Sequence, residues 1–309
     1  MIRVICLNPV IDRFYFIENY TPGKLYRDNV PRLFAGGKGV NAARVVAQLG
    51  HECSLYGFLG KDNGQIIKSD MQKHNVILNM IEYEGETRTT INIVDTLNRQ
   101  ESEITEKSTE ISKQYIDLFW QNLKEDIGQN DIIICSGAPM SGMDHDIYMK
   151  ISELCESKKA KCLLDTSGLS FKASLPGKYH MCKPNTRELQ EYFGVCCSKD
   201  IEIIELAIKL MMQGVENTLI SMGKNGGLLI NKNTTICASV PDIKVVSTIG
   251  SGDATMAGYA AGMARGYDER KSLQLAMACG VCNAMHEKVG YIDKDALEDI
   301  LDKVEINEK

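Results

Sequence analysis

The chain has 309 residues, 44% of them hydrophobic and 25% charged, and its 35 Lys and Arg against 41 Asp and Glu leave a net charge of −6. That length suffices for one large α/β core. The mild acidity excludes a general nucleic-acid binder, which needs a basic stripe, but leaves room for a local basic pocket. No apolar run reaches the ~18 residues of a membrane helix, and the amino end meets Asn8-Pro9 too soon to hold a signal-peptide core. The eleven cysteines are odd in number and scattered through apolar stretches. The Cys279-Gly280-Val281-Cys282 spacing has no second CxxC pair or flanking His to complete a zinc site. Free thiols in a reducing cytoplasm are therefore expected.

In chain order, the first strand falls at 4–7. Residues 10–36, with Ile11, Phe14, Phe16, Val30 and Leu33, then alternate apolar and polar as half-exposed antiparallel strands do. A helix over 40–50, a strand over 54–59 and a helix over 64–74 follow. A second alternating stretch at 87–106 carries Thr89, Ile91, Ile93 and Ile104. Helices over 112–125, 146–157, 187–193 and 201–213 are then interleaved with strands at 132–135, 162–164, 218–220 and 228–230. Two further helices, over 254–265 and 270–286, come last. Strands alternating with helices predict a mainly parallel sheet covered on both faces. We expect one α/β domain over 1–309, with the stretches at about 10–36 and 87–106 inserted as a small sheet that serves as lid and oligomer contact.

Glycine-rich α/β chains raise the question of phosphate chemistry. None of the Gly-Lys pairs ending at Lys24, Lys38, Lys61, Lys178 and Lys224 is followed by Ser or Thr, so there is no Walker A loop. A dinucleotide GxGxxG after the first strand is also missing. What stands out is Thr248-Ile249-Gly250-Ser251-Gly252-Asp253, followed by Ala254 and an Ala-rich helical run. Gly250 and Gly252 let the backbone approach a ligand, and the helix start behind them favours an anion. From these residues alone Asp253 is either a first-turn carboxylate or a general base beside a phosphate nest.

The second such segment is Ala35-Gly36-Gly37-Lys38-Gly39-Val40-Asn41, a close-approach loop opening an amphipathic helix. Asn41 offers a donor and an acceptor to sugar hydroxyls, or else caps the helix. Asp12 follows the first strand, and ligands of α/β sheets sit beyond the carboxyl ends of strands.

Together these segments resemble the two signatures of the ribokinase-like, phosphofructokinase-B carbohydrate kinases. Ser136-Gly137, Lys183-Pro184-Asn185 with Glu188, and Ser221-Met222-Gly223 with Gly226 match in family order over nearly the whole chain. Residues 57–64, 85–90 and the tail Gly280, Asn283, Gly290-Tyr291 are similar to the 1-phosphofructokinase and tagatose-6-phosphate kinase branch. The resemblance implies a three-layer α/β/α fold with a small β-sheet lid, and ATP- and Mg²⁺-dependent phosphorylation of a ketohexose monophosphate (tagatose 6-phosphate or fructose 1-phosphate) to the bisphosphate.

Residue by residue, it implies that Asp253 is the general base and that Gly250, Ser251 and Gly252 form the anion hole. Asp12, Gly36, Gly37, Asn41 and Ser136 fall at the sugar, and Arg88 at the substrate phosphate, where a guanidinium fork suits bidentate binding. Lys24, Arg27 and Lys38 are further candidates for that phosphate, or else solvated surface charges. Lys183, Asn185, Ser221, Gly223, Gly226 and Asn283 match nucleotide-binding positions, and Glu188 the acidic position associated with magnesium. Ser247 and Ile249 fall where some members bind a monovalent cation. A cytoplasmic homodimer joined through the lid strands is expected.

The sequence departs from the family pattern in places. Ala254 replaces the serine that usually follows the aspartate, and Ser136-Gly137-Ala138-Pro139 is shorter than the usual Ser-Gly-Ser-Leu-Pro. The arginine that some 6-phosphofructokinases carry on the later lid strand has no counterpart in Glu101-Ser102-Glu103-Ile104-Thr105, which makes fructose 6-phosphate a poorer acceptor. Acidic residues there would sit poorly near a second phosphate if they faced inward. Rival readings are a kinase of another sugar or sugar phosphate, including a free hexose, and a non-catalytic sugar-phosphate sensor on the same fold.

Overall fold

The computed structural model describes residues 1–197 and 199–308. From the amino end come β1 (Ile2–Cys6), β2 (Val10–Ile17), β3 (Arg32–Gly36), α1 (Lys38–Gln48), β4 (Cys53–Gly60), α2 (Gln65–Lys73), β5 (Ile77–Tyr83), β6 (Thr89–Asp95) and β7 (Gln100–Thr105). The middle of the chain forms α3 (Lys113–Asp126), β8 (Ile132–Ser136), α4 (Ile147–Lys158), β9 (Lys161–Asp165), α5 (Gly168–Ser174), β10 (Tyr179–Cys182), α6 (Thr186–Phe193), α7 (Asp200–Met211) and β11 (Val215–Ser221). It ends with β12 (Gly227–Asn231), β13 (Thr235–Ser239), α8 (Ser251–Ala264), α9 (Glu269–Ala284), α10 (Lys294–Leu301) and β14 (Glu305–Glu308).

Ten strands make the large sheet, in the order β14-β13-β12-β11-β10-β9-β8-β1-β4-β5. From β5 through β11 every pairing is parallel, and β12 to β14 add antiparallel edge strands. Side chains of β1 split by the two-residue period of a strand. Ile2, Val4 and Cys6 pack into the layer of α1, α2 and α8 to α10, while Ile5 and Leu7 pack into the layer of α3 to α7. Burial of each such aliphatic side chain contributes roughly 1.5–3 kcal/mol. This is the three-layer α/β/α architecture, with a core on each face of the sheet.

Small residues set how closely the first layer packs. A Cβ on Gly39 would stand 2.4 Å from Cys6 Cβ, so α1 lies against β1 only because Gly39 has no side chain. Gly258 and Gly262 of α8 likewise bring that helix onto Ala276 and Ser272 of α9. Helix α8 is buried nearly all round, as its Ala-rich sequence requires.

The second sheet has the order β3-β2-β6-β7 and comes from the two alternating stretches. Its register sets Asp12 beside Thr90 and Thr90 beside Thr105. One row further out Phe14 stands beside Asn92, and Asn92 beside Glu103. These six side chains therefore share one face.

Candidate active site

The neighbours of β1 in the sheet, β4 and β8, lie on opposite sides of it. Such a switch point leaves a crevice beyond the carboxyl ends of the strands. A cleft of about 560 Å³ opens there, between the small sheet, the starts of α1 and α8, and the ends of β9 and β11.

Asp253 forms one corner. It is 6% exposed, and its Oδ2 accepts a hydrogen bond from Asn41 Nδ2 at 2.9 Å. Burial, reinforced by the Asp165 carboxylate, pushes its pKa up to about 6 against the opposing pull of Lys38, the Asn41 bond and Lys183. Gly250 sits before α8 with φ of 78°, a left-handed conformation that suits glycine. The first i→i−4 bond of α8 runs from Ala254 N to Gly250 O at 2.9 Å, so the Gly252 and Asp253 amides precede the helical ladder. The Ser251 amide instead closes a turn onto Thr248 O at 3.2 Å, which removes one of the three expected anion-hole donors. A Cβ on Gly252 would stand 3.1 Å from Lys183 Nζ. The glycine thus brings backbone and ammonium together.

Asp165 organises the floor, and sequence reasoning missed it. It is 1% exposed, with Lys38 Nζ 3.2 Å from Oδ1 and Lys183 Nζ 3.1 Å from Oδ2. Burial pushes its carboxyl upward, but the two lysines outweigh that and hold it below the ordinary value. Asp165 in turn raises the Lys38 ammonium despite burial. Lys38 therefore stays charged at the cleft.

Asn185 and Glu188 form a reciprocal cap on α6: Glu188 N donates to Asn185 Oδ1 (2.8 Å) and Asn185 N donates to Glu188 Oε2 (2.9 Å). Glu188 Oε1 remains on the cleft side, 4.0 Å from Lys38 Nζ. Among the described residues no cluster of three or more His, Cys, Asp or Glu could hold a metal unaided. A magnesium ion fits only in the way such ions accompany phosphates, through one carboxylate, water and ligand oxygens.

The small sheet supplies the opposite wall. Arg88 is anchored by Nε to Asn8 Oδ1 (2.9 Å) and by Nη2 to the Asn8 carbonyl (3.4 Å), and it lines the cleft. Among the described residues Nη1 makes no hydrogen bond. Burial, with Glu103 nearby, raises the Asp12 pKa to about 6 against Arg88 and Arg44. A Cβ on Gly36 would collide with the Asp12 carboxylate at 2.0 Å, so Gly36 makes space for that side chain. Glu103 faces inward, with Thr105 Oγ1 donating to its Oε1 at 2.8 Å.

The structure thus brings Asp12, Gly37, Lys38, Asn41, Arg88, Lys183, Asn185, Glu188, Ser221, Gly250, Gly252 and Asp253 to one cleft. Other expected residues lie elsewhere. Lys24 is exposed in the β2–β3 connection and does not line this chain's cleft. Ser136 is 1% exposed, pairs with Asp165 in the sheet, and its Oγ is enclosed without a partner. Asn283 is buried, with Nδ2 on Ile249 O (2.8 Å) and Ser251 Oγ (3.2 Å) and Oδ1 accepting from Gly290 N (2.7 Å). It reaches the cleft through the loop it holds, not by its own side chain. Gly223 and Gly226 shape the turn after Ser221, and a Cβ on Gly226 would meet Ala238 O at 1.9 Å. Ala254 is fully buried in the core.

Comparison with known proteins agrees with this architecture. A 1-phosphofructokinase of Bacillus subtilis (strain 168) is 29% identical over 306 residues, 99% of each chain. A tagatose-6-phosphate kinase of Staphylococcus epidermidis is 30% identical over 311 residues, the whole of both. The crystal structure of phosphofructokinase-2 from Escherichia coli in complex with potassium shares the fold, with a TM-score of 0.91 at 19% identity over 97% of this chain and 98% of that one. The pfkB family pattern matches residues 5–295, and the chain belongs to the pfkB family of carbohydrate kinases, phosphotransferases acting on a sugar hydroxyl.

Proposed function

We propose that the protein transfers the γ-phosphoryl group of ATP to a free hydroxyl of a ketohexose monophosphate, with tagatose 6-phosphate and fructose 1-phosphate as the leading acceptors. The observation that carries this reading is the pairing, in one cleft, of a buried carboxylate at a helix start with an arginine fork on the facing wall. Asp253 takes the proton of the acceptor hydroxyl as its oxygen bonds to the γ-phosphorus. The bond to the β,γ-bridging oxygen breaks, ADP leaves, and Asp253 returns the proton to solvent. The Gly252 and Asp253 amides, with Lys183 and Lys38, face the charge on the transferring group. Asn185, Ser221 and the turn at Gly223 to Gly226 lie along the nucleotide. Glu188, on the cleft side, would hold a magnesium ion accompanying ATP, which would supply charge neutralisation.

At the acceptor end Arg88 binds the phosphate already present, with Asp12 and Asn41 on the sugar hydroxyls. The inward Glu103 disfavours a phosphate at the outer rows of the small sheet, which weighs against fructose 6-phosphate. The names of the two full-length relatives support the same acceptor class. The small sheet serves as lid and as the contact of a homodimer. Leu25, Val30, Leu33 and Ile104 on its strands and connections are 45–88% exposed, more apolar surface than a solitary lid needs.

An acceptor panel run on wild type and Arg88→Ala tests the reading. Phosphorylated ketohexoses should turn over far faster than free fructose or ribose. Arg88→Ala should raise KM for the sugar phosphate about 10- to 100-fold, the equivalent of a charge-assisted hydrogen-bond pair. Activity confined to free sugars, or an unchanged KM, would remove the phosphate site.

A further inference from the structure

Arg44 on α1 is 2% exposed, yet all five of its N–H hydrogens are engaged. Nε and Nη2 bind Asp70 Oδ2 at 2.8 and 2.7 Å, and Nη2 also donates to the Ala35 carbonyl at 2.7 Å. Nη1 donates to Asn41 Oδ1 at 3.1 Å and to the Val289 carbonyl at 2.9 Å. Each acceptor except Asp70 leads to a different part of the cleft. Ala35 leads into Gly36 and Gly37, Asn41 holds Asp253, and Val289 packs against Gly250.

The bond to Asn41 has a chemical consequence. A guanidinium can only donate and an ionised carboxylate can only accept. Arg44 on one side therefore fixes Asn41 with its oxygen inward and its NH₂ group toward Asp253. Freed from Arg44, the amide could rotate and present oxygen to the carboxylate, the arrangement least compatible with an ionised base.

The same arginine reaches the start of α8 by a second route. Beyond Val289, Gly290 N donates to Asn283, which ties Ile249 and Ser251. Gln48, one turn beyond Arg44, clamps the segment with Nε2 on Gly290 O (2.8 Å) and Oε1 accepting from Ile292 N (3.0 Å). Gly290 has φ of +65°, and a Cβ there would stand 2.8 Å from Arg44 Nη1. Strap and arginine are fitted to each other.

We propose that Arg44, neutralised by Asp70, is the positioning residue of this site, orienting Asn41 toward the base and fixing the 289–292 strap against the turn that opens α8. The proposal rests on the reading of Asp253 as general base. Lysine cannot replace Arg44, because one ammonium cannot span the four acceptor atoms that the guanidinium reaches.

Arg44→Lys, Asp70→Asn and Asp253→Asn, assayed with ATP and the best acceptor across pH, test it. Asp253 is faced by Asn41 and Lys38 from α1, Asp165 at the end of β9 and Lys183 after β10, and Arg44→Lys alters only the first directly. We expect Arg44→Lys to lower kcat about 10- to 100-fold with KM for ATP within about threefold, because a charge-assisted hydrogen bond is lost at the base. The acid limb of kcat should move up by about one pH unit, since Asp253 loses a donor that favours its charged form. Asp70→Asn should shift both in the same direction by less, and it serves if Arg44→Lys does not fold. Wild-type kcat and acid limb in the folded variants, or a loss that follows only the folded fraction with the limb unmoved, would overturn the proposal. Asp253→Asn separates the two levels. If it is inactive while Arg44→Lys matches wild type, only the role of Arg44 falls; if it turns over normally, the base and this proposal fall together.

Discussion

As the proposed general base, Asp253 meets two opposed demands. A general base must be ionised at neutral pH, yet burial raises its pKa to about 6. Its folded value lies above the ~3.9 of an unfolded aspartate, so the folded state binds this proton more tightly. The group therefore favours the fold at low pH, and that contribution is lost as pH rises through the window from about 4 to 6. Asp253→Asn should accordingly raise Tm at pH 7.5 by a few degrees, with the gap to wild type closing below about pH 5. A lower Tm in the variant at pH 7.5 would mean that the carboxylate is held by Lys38, Lys183 and Asn41 more strongly than burial opposes it. Asp253 and Asp12 were legible in the sequence because each stands where α/β folds place ligands, at a helix start or beyond a strand end. Asp165 obeys the same rule, closing the apolar run Cys162-Leu163-Leu164, but its weight comes from two lysines brought together only by the fold. Arg44 was hidden for a different reason: in the sequence it reads as one polar position on an amphipathic helix.

At the scale of elements, the parallel strands of the sheet centre could be read because they are short apolar runs between helices. The missed strands lack that signal. β5 mixes exposed and buried positions, β10 has four residues, and the antiparallel edge strand β14 carries Glu305 and Glu308. The two alternating stretches do pair into one sheet, but only the register shows which face meets the cleft. It turns Glu103 inward beside Asn92 and leaves Ile104 outward beside Ile91. Lys24 and Ser136 lie off this chain's cleft, because a motif gives a position in the chain and not the direction of a side chain. The small sheet also carries the oligomer prediction. Sedimentation should show a dimer, and the double variant Val30→Asp, Ile104→Asp should sediment as a monomer with the large sheet intact by circular dichroism. A monomeric wild-type protein at micromolar concentration would contradict the lid contact.

For the whole molecule, the ten-stranded sheet acts as a rigid base on which distant segments converge. The start of α1, the end of β9, the cap of α6 and the start of α8 all deliver polar groups to one side of it. The facing wall belongs to the smaller sheet, whose closure would exclude water that otherwise competes as phosphoryl acceptor. No described helix is long and apolar enough to cross a membrane, and no disulfide joins any of the eleven cysteines, eight of which are buried in strands and helices around the large sheet. We propose that this convergence makes Asp253 the base of the kinase. The most direct measurement is ADP release by Asp253→Ala on the best phosphorylated ketohexose, with acceptor binding followed by calorimetry. We predict a loss of about three orders of magnitude or more in kcat, with the sugar phosphate still bound, as expected when a group acting in the transition state is removed. Near-normal turnover in that variant would contradict the account.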